Sequence, residues 1–286
     1  MEPVFLKLRK GLHQRLCDEL VTLRELEGGR KVYNMCDHHN GASVDLAAGM
    51  VEAMGFPCGT GPGKTEPGAL FTRVIREYIK NAFGHLSHLR PGTWEFPLKA
   101  VEITGYEQYE HLRRLDDLLE KYPVIRTAFA GDYLIKPDIV VARSRVPDDK
   151  INAPEILVGD GPAVTMASLR EAARGKGGIL HASISCKWTM RSDRSQNVRT
   201  EALNLIRNRK GRIPHIVAVT MEPLPSRLAS IAMGTGDLDC TYHVALNELL
   251  KAAKNSRHED AREMLNMLVD GGRLRDVSDL PMDLAI

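Results

Sequence analysis

Residues 179–190, ILHASISCKWTM, constrain the fold more than any other stretch of this chain. Leu180, Ala182, Ile184, Cys186 and Trp188 alternate strictly with His181, Ser183, Ser185, Lys187 and Thr189. Successive side chains of a strand point to opposite faces, so this pattern predicts a strand with an apolar core face and a polar face bearing a lysine. Such a strand needs partners, and 133–143 (YLIKPDIVVAR) and 215–221 (HIVAVTM) supply them. Residues 98–104 read as extended as well. Helical spacing of apolar residues marks 5–27, 43–54, 68–83, 106–121, 194–208 and 243–268,. Helices and strands mixed without a repeat imply an α/β fold. The Gly/Pro-rich stretches at 57–68 and 144–162 read as loops. Neither is long or biased enough to divide the chain, so residues 1–286 are expected to form a single domain.

Composition narrows the class. At 286 residues, with 43% hydrophobic and 27% charged, the chain can bury a large core and is not mainly disordered,. No apolar run is long enough to cross a bilayer, so no membrane partner is expected. The first sixteen residues, MEPVFLKLRKGLHQRL, are too charged and broken for a signal peptide,. Five cysteines (17, 36, 58, 186 and 240) contain no CxxC pair, which fits reduced thiols in the cytoplasm,.

The formal charge of +2 hides an uneven distribution. Residues 170–212 hold eleven Lys/Arg against three acids, a local +8, and the remainder stands at −6. A basic block creates a field that attracts a polyanion even in a nearly neutral chain, although a solvated Arg-rich helical face is the commoner origin of such a run.

Two features imitate functional motifs. The run 59–65, GTGPGKT, lacks the first glycine of a phosphate-binding loop, whose place is held by Cys58, and Pro62 removes a backbone donor,. A nucleotide triphosphatase would need ATP binding sensitive to Lys64→Ala, and a surface loop is the better account. Cys36, His38 and His39, and separately His85 and His88, have metal-ligand residue types without a matching second pair,.

The chemistry concentrates elsewhere. Asp138 precedes an apolar triplet at the point where its strand enters the core. A carboxylate buried there unpaired costs several kcal/mol, so it needs a cation, donors or a metal. Lys187 and Ser185 lie on a neighbouring strand. Glu201 sits one turn from Val198 and Leu205, at the boundary of the apolar stripe of its helix,. Two carboxylates and a lysine suit phosphodiester hydrolysis, which needs charge neutralisation on phosphoryl oxygens and an activated water.

Pro137-Asp138, then Ser185-Cys186-Lys187, then Glu201 after thirteen intervening residues resembles the PD-(D/E)xK nuclease signature in its rearranged form. Ser185 stands where the usual acid would be, and Glu201 of the following helix replaces it. The arrangement Arg191-Ser192-Asp193-Arg194 resembles the R-x-D-R element of type II restriction endonucleases that recognise a CCGG core. The resemblance implies a restriction-endonuclease-like core, a central mixed β-sheet flanked by helices. It also implies a Mg²⁺-dependent enzyme that cuts double-stranded DNA. Similarity to one enzyme of the group further implies the site GCCGGC, cut after the first G, and a homotetrameric dimer of dimers.

The roles implied are specific. Asp138, Glu201 and the backbone carbonyl of Cys186 hold metal. Ser185 takes the place of the displaced acid, and Lys187 positions the nucleophilic water. Arg191, Asp193 and Arg194 read inner bases, because arginine donates bidentately to guanine and aspartate accepts from cytosine N4. Arg227, in the stretch PLPSR, is a further candidate for an outer base or a phosphate. Related nucleases place a glutamate directly after an aromatic on an early helix; here Phe71 is followed by Thr72, and Glu77 is the nearest acid. The rival reading is a non-catalytic, sequence-specific DNA-binding protein.

Overall fold

A computed structural model describes residues 2–61, 66–97, 102–122, 124, 135–172, 177–234 and 236–286. The described strands are β1 (Thr22–Glu25), β2 (Lys31–Tyr33), β3 (Gly59–Thr60), β4 (Trp94–Glu95), β5 (Ile139–Arg143), β6 (Ile179–Lys187), β7 (His215–Thr220), β8 (Cys240–His243) and β9 (Leu274–Asp276). The longer helices are α1 (Val4–Glu19), α2 (Gly41–Met54), α3 (Pro67–Gly84), α4 (Glu110–Lys121) and, after the one-turn α5 (Asp148–Ile151), α6 (Ser192–Asn208). Then follow α7 (Pro225–Ala232), α8 (Leu246–Asn255), α9 (Glu259–Asp270) and α10 (Leu280–Asp283). A mixed six-stranded sheet in the order β4-β5-β6-β7-β8-β9 and a small sheet β2-β1-β3 make this an α/β fold.

Two compact units emerge from the contacts. One comprises Met1–Leu89, Ser185–Arg199 and Ile216–Ile286; the other comprises Arg90–Ile184 and Thr200–His215. In the first, β7, β8 and β9 run parallel. There α2 meets α8 closely enough that a Cβ at Gly49 would stand 2.9 Å from Ala252 Cβ, so glycine sets the approach of the two helices,. In the second, β4, β5 and β6 are antiparallel, with a register shift between Val141 and Ala142. Buried Gln108 plugs that irregularity: its Nε2 donates to the Leu180 carbonyl at 2.7 Å, and its Oε1 accepts from the Leu180 N–H at 3.0 Å. A side-chain amide thus replaces a ladder partner.

Strand β6 forms where the alternation places it, but its polar face is buried along most of its length. Leu180, Ala182, Ile184 and Cys186 are buried, and so are His181, Ser183 and Ser185 on the opposite face. The strand lies inside the six-strand order, so it has a neighbour along each edge.

Elsewhere the structure corrects the pattern. The helix expected over 5–27 ends at Glu19 and is followed by the hairpin β1–β2. Gly28 and Gly29, at φ 85° and 79°, provide the left-handed turn that a helix cannot contain,. The helix expected over 243–268 is three elements. His243 ends β8, and the helical remainder breaks at Ser256. The Ser256 hydroxyl donates to the Ala253 carbonyl at 3.0 Å and accepts the His258 N–H at 3.2 Å, giving the backbone an alternative to a continuous helix,. The loop expected at 57–68 contains β3, paired parallel to β1, and the loop at 144–162 contains α5.

Arg227 does not lie in a loop. PLPSR enters α7, with Pro225 at the first turn, where its missing N–H costs nothing,. Strand β5 is shorter than 133–143, because Pro137 cannot donate to a ladder, and 133–134 lie outside the described residues,. Residues 98–101 and 62–65, with Lys64, are likewise outside them, and Ile103–Gly105 is a 3₁₀ turn rather than extended chain.

Candidate functional site

Asp138 occupies a bend directly before β5 and is half-buried. Ser185, Cys186 and Lys187 are the last three residues of β6. Within the ladder Ile139, the residue after Asp138, pairs with Ile184. Ser185 and Cys186 are buried, and Lys187 is half-buried at the strand end. Glu201 lies midway along α6 and is half-buried, while Val198, Ala202 and Leu205 of the same helix are buried. The acid thus stands in the bend before β5, the Ser-x-Lys element at the end of β6, and the helix acid within α6.

Among the described residues, no three His, Cys, Asp or Glu side chains stand together as a metal cage. The candidate donors are instead two carboxylates and a strand carbonyl, a hard oxygen set. Mg²⁺ accepts one or two protein carboxylates and retains several waters, so this donor chemistry fits it.

The arginine-rich turn is built differently from what charge alone suggests. Arg191 and Asp193 are exposed at the start of α6. Arg194 is half-buried and donates through Nη1 to the Thr189 carbonyl at 3.1 Å and to Thr189 Oγ1 at 3.0 Å. It therefore braces the strand-to-helix turn that presents the other two. Asp193 in the first helical turn also complements the positive end of the helix,.

Sequence reasoning missed Glu222, which is 0% exposed. Its Oε2 accepts the Met190 N–H at 2.8 Å, and its Oε1 accepts the Leu224 N–H at 3.1 Å. Burial pushes this carboxyl up to about 7, against the pull of those two donors and of Arg227,. The His243 Nε2–H donates to the Glu222 carbonyl at 3.1 Å, while its Nδ1 accepts the Ala245 N–H at 3.1 Å. Burial lowers His243 to about 4 and keeps the ring neutral. The signal in the sequence was an acid closing the apolar run IVAVTM, the same anomaly that marked Asp138.

Asp37 was missed as well. Arg227 Nη2 pairs with Asp37 Oδ2, and its Nη1 lies 3.8 Å from Glu222 Oε2. The His39 N–H, and then the Arg227 guanidinium, hold the Asp37 carboxyl below its usual range. Two serines complete the link between these elements. Ser230 Oγ donates to the Arg227 carbonyl at 2.7 Å; Ser195 Oγ lies 2.9 Å from Ser230 Oγ and 3.3 Å from the Arg191 carbonyl. The structure thus brings the turn carrying Arg191 to the helix carrying Arg227.

The basic block is not one face. Arg170 is buried in a two-pronged pair with Asp148 at 2.8 and 2.6 Å, so it is a structural group. Arg174 and Lys176 lie outside the described residues. Glu77 forms an ion pair with Arg15 on the helix surface, and Phe71 packs edge-on against Trp188 at 5.5 Å. Cys36 is buried, the rings of His38 and His39 lie 3.9 Å apart at a tilt of 42°, and both His85 and His88 are exposed.

The model of the NgoMIV restriction enzyme family matches residues 12–286. The chain is 44% identical over 292 aligned positions, covering 100% of both proteins, to the Type II restriction enzyme NgoMIV of Neisseria gonorrhoeae. No described helix is long and apolar enough to cross a membrane. A match spanning nearly the whole chain, on a mixed α/β sheet carrying the acid and Ser-x-Lys elements, places this protein in one group: the chain belongs to the NgoMIV restriction enzyme family and is a type II restriction endonuclease.

Proposed function

We propose that the chain hydrolyses double-stranded DNA at a palindromic CCGG-core site, GCCGGC cut after the first G, with Mg²⁺ and in the cytoplasm. The observation that carries the reading is the match of residues 12–286 to the NgoMIV restriction enzyme family, in a chain with Asp138 directly before β5 and Lys187 at the end of β6. Asp138, Glu201 and the Cys186 carbonyl hold the metal. A bound divalent ion neutralises phosphoryl charge and lowers the pKa of a coordinated water. Ser185 keeps a neutral polar group in the place of the displaced acid. The Lys187 ammonium donates to the phosphate and to the attacking water, fixing its approach to phosphorus.

Arg191, Asp193 and Arg194 read the inner base pairs from the start of α6. Arg227 reads the outer pair, and its partner Asp37 supports this. A guanidinium and a carboxylate held together match the acceptors of guanine and the N4 donor of cytosine,. A palindromic site calls for two-fold related copies, and the resemblance extends this to a dimer of dimers acting as one 1–286 endonuclease domain per chain. Exposed apolar side chains at Ile156, Leu157, Val164 and Met166 offer surface for self-association,. Sedimentation at assay concentration is expected to give four chains per particle, and a monomer would reject this assembly.

Digestion of a plasmid of known sequence is the direct test of the reaction. With Mg²⁺, discrete fragments are expected with ends at GCCGGC, and chelation should stop cleavage completely. Specific binding to that site without any fragments would replace the nuclease reading with the non-catalytic one.

A further inference from the structure

Both groups that face bases in the proposed reading hang on one polar clasp centred on the buried Glu222. Glu222 accepts the N–H of Met190, the residue before Arg191, and the N–H of Leu224, the residue before α7. The Ser195–Ser230 hydroxyl pair lies on the other side, in reach of the Arg191 and Arg227 carbonyls. These groups are contributed by the β6–α6 turn, the segment after β7, α6 and α7. A carboxylate with 0% exposure and both oxygens on backbone donors has no solvent to fall back on, so its geometry is held tightly,.

We propose that Glu222, with Ser195 and Ser230, is a positioning and specificity-determining clasp that fixes the inner-base turn at Arg191–Arg194 relative to Arg227. This deepens the DNA-reading assignment and rests on it. The clasp touches no base. It acts by allowing only one spacing between the two sets of readers. A wrong base at either place then strains a single rigid unit instead of being absorbed by a local shift. Loosening the clasp should therefore relax discrimination at the inner and outer pairs together, whereas Arg227→Ala should relax the outer pair alone.

The test compares kcat/KM on duplexes carrying GCCGGC with duplexes substituted at one inner or one outer pair. Glu222→Gln keeps the size of the side chain but turns an NH₂ toward one of the two backbone donors. The preference for GCCGGC is expected to fall by roughly tenfold at both positions. Ser230→Ala, at an exposed hydroxyl, is expected to lower it by about threefold at both,. A purely structural role would reduce the active fraction and scale every rate equally, leaving the ratio untouched. An unchanged ratio in folded Glu222→Gln overturns the clasp. If that variant does not fold, an unchanged ratio in Ser230→Ala overturns it instead. A wild-type enzyme with no preference for GCCGGC would mark the failure of the DNA-reading assignment itself.

Discussion

Asp138→Ala is expected to reduce duplex cleavage on the order of a thousandfold or more while site-specific binding persists. The argument begins with the chain. Asp138 stands in a bend after Pro137 and immediately before Ile139, Val140 and Val141, all buried. A carboxylate at the lip of an apolar strand is costly to keep unless its charge is used, and a divalent ion beside a phosphate uses it. In the proposed role, alanine would remove a metal ligand and with it several kcal/mol of transition-state stabilisation, and each 1.36 kcal/mol is a factor of ten in rate. Base reading should survive because the proposed readers belong to other elements: Arg191 directly precedes α6, Asp193 lies in its first turn, and Arg227 lies in α7. Removing a negative charge near phosphate also takes away repulsion, so binding should hold or tighten. Cleavage by Asp138→Ala at near wild-type rate would remove Asp138 from the active site. Equal loss of binding and cleavage would make its role structural.

The alternation of 179–190 made β6 and its lysine visible because a period of two is a property of neighbours along the chain. Helices α2 and α3 were visible for the same local reason, through their apolar stripes, as was α6. What escaped depended on partners distant in sequence. The leucines of α1 continue in register through Leu20 and Leu23, and only the pairing of β1 with β2 shows that the helix has already ended. Ser256 breaks a helical pattern through two hydrogen bonds that leave no periodic trace. In the candidate site, Asp138, Ser185, Lys187 and Glu201 were legible as motif residues with fixed spacing. Glu222 and Asp37 were not, because their meaning lies in contacts with Met190 and Arg227, 32 and 190 residues away. Arg170 shows the converse. It counted toward a basic block, yet its charge is consumed by Asp148.

Arg9→Met should be among the most destabilising single substitutions outside the site, at about 3–5 kcal/mol. Arg9 Nε and Nη2 reach the two oxygens of Asp276 at 2.8 and 2.7 Å, and Nη1 reaches Glu248 at 2.8 Å. The side chains are only 9%, 7% and 15% exposed for Arg9, Asp276 and Glu248. Methionine keeps the apolar stem of Arg9 and leaves two carboxylates without their cation. Burial pushes Asp276 and Glu248 upward, and Arg9 brings both net below their ordinary values. In the wild type their contribution is present above the unfolded carboxylate pKa and is lost as pH falls through the lowered folded values. In the variant Ser278 still pulls Asp276 down and His13 still pulls Glu248 down, but without Arg9 both folded values rise relative to the wild type, so the variant regains stability as pH falls. The cost of Arg9→Met should accordingly be larger at about pH 8 than at about pH 5, measured by urea unfolding. Arg262→Met, which breaks an exposed pair with Glu259 at 2.8 Å and 36% and 75% exposure, should cost no more than about 0.5 kcal/mol at either pH,. An Arg9→Met cost as small as that of Arg262→Met would mean that solvent reaches Asp276 and Glu248 and compensates their charge without arginine.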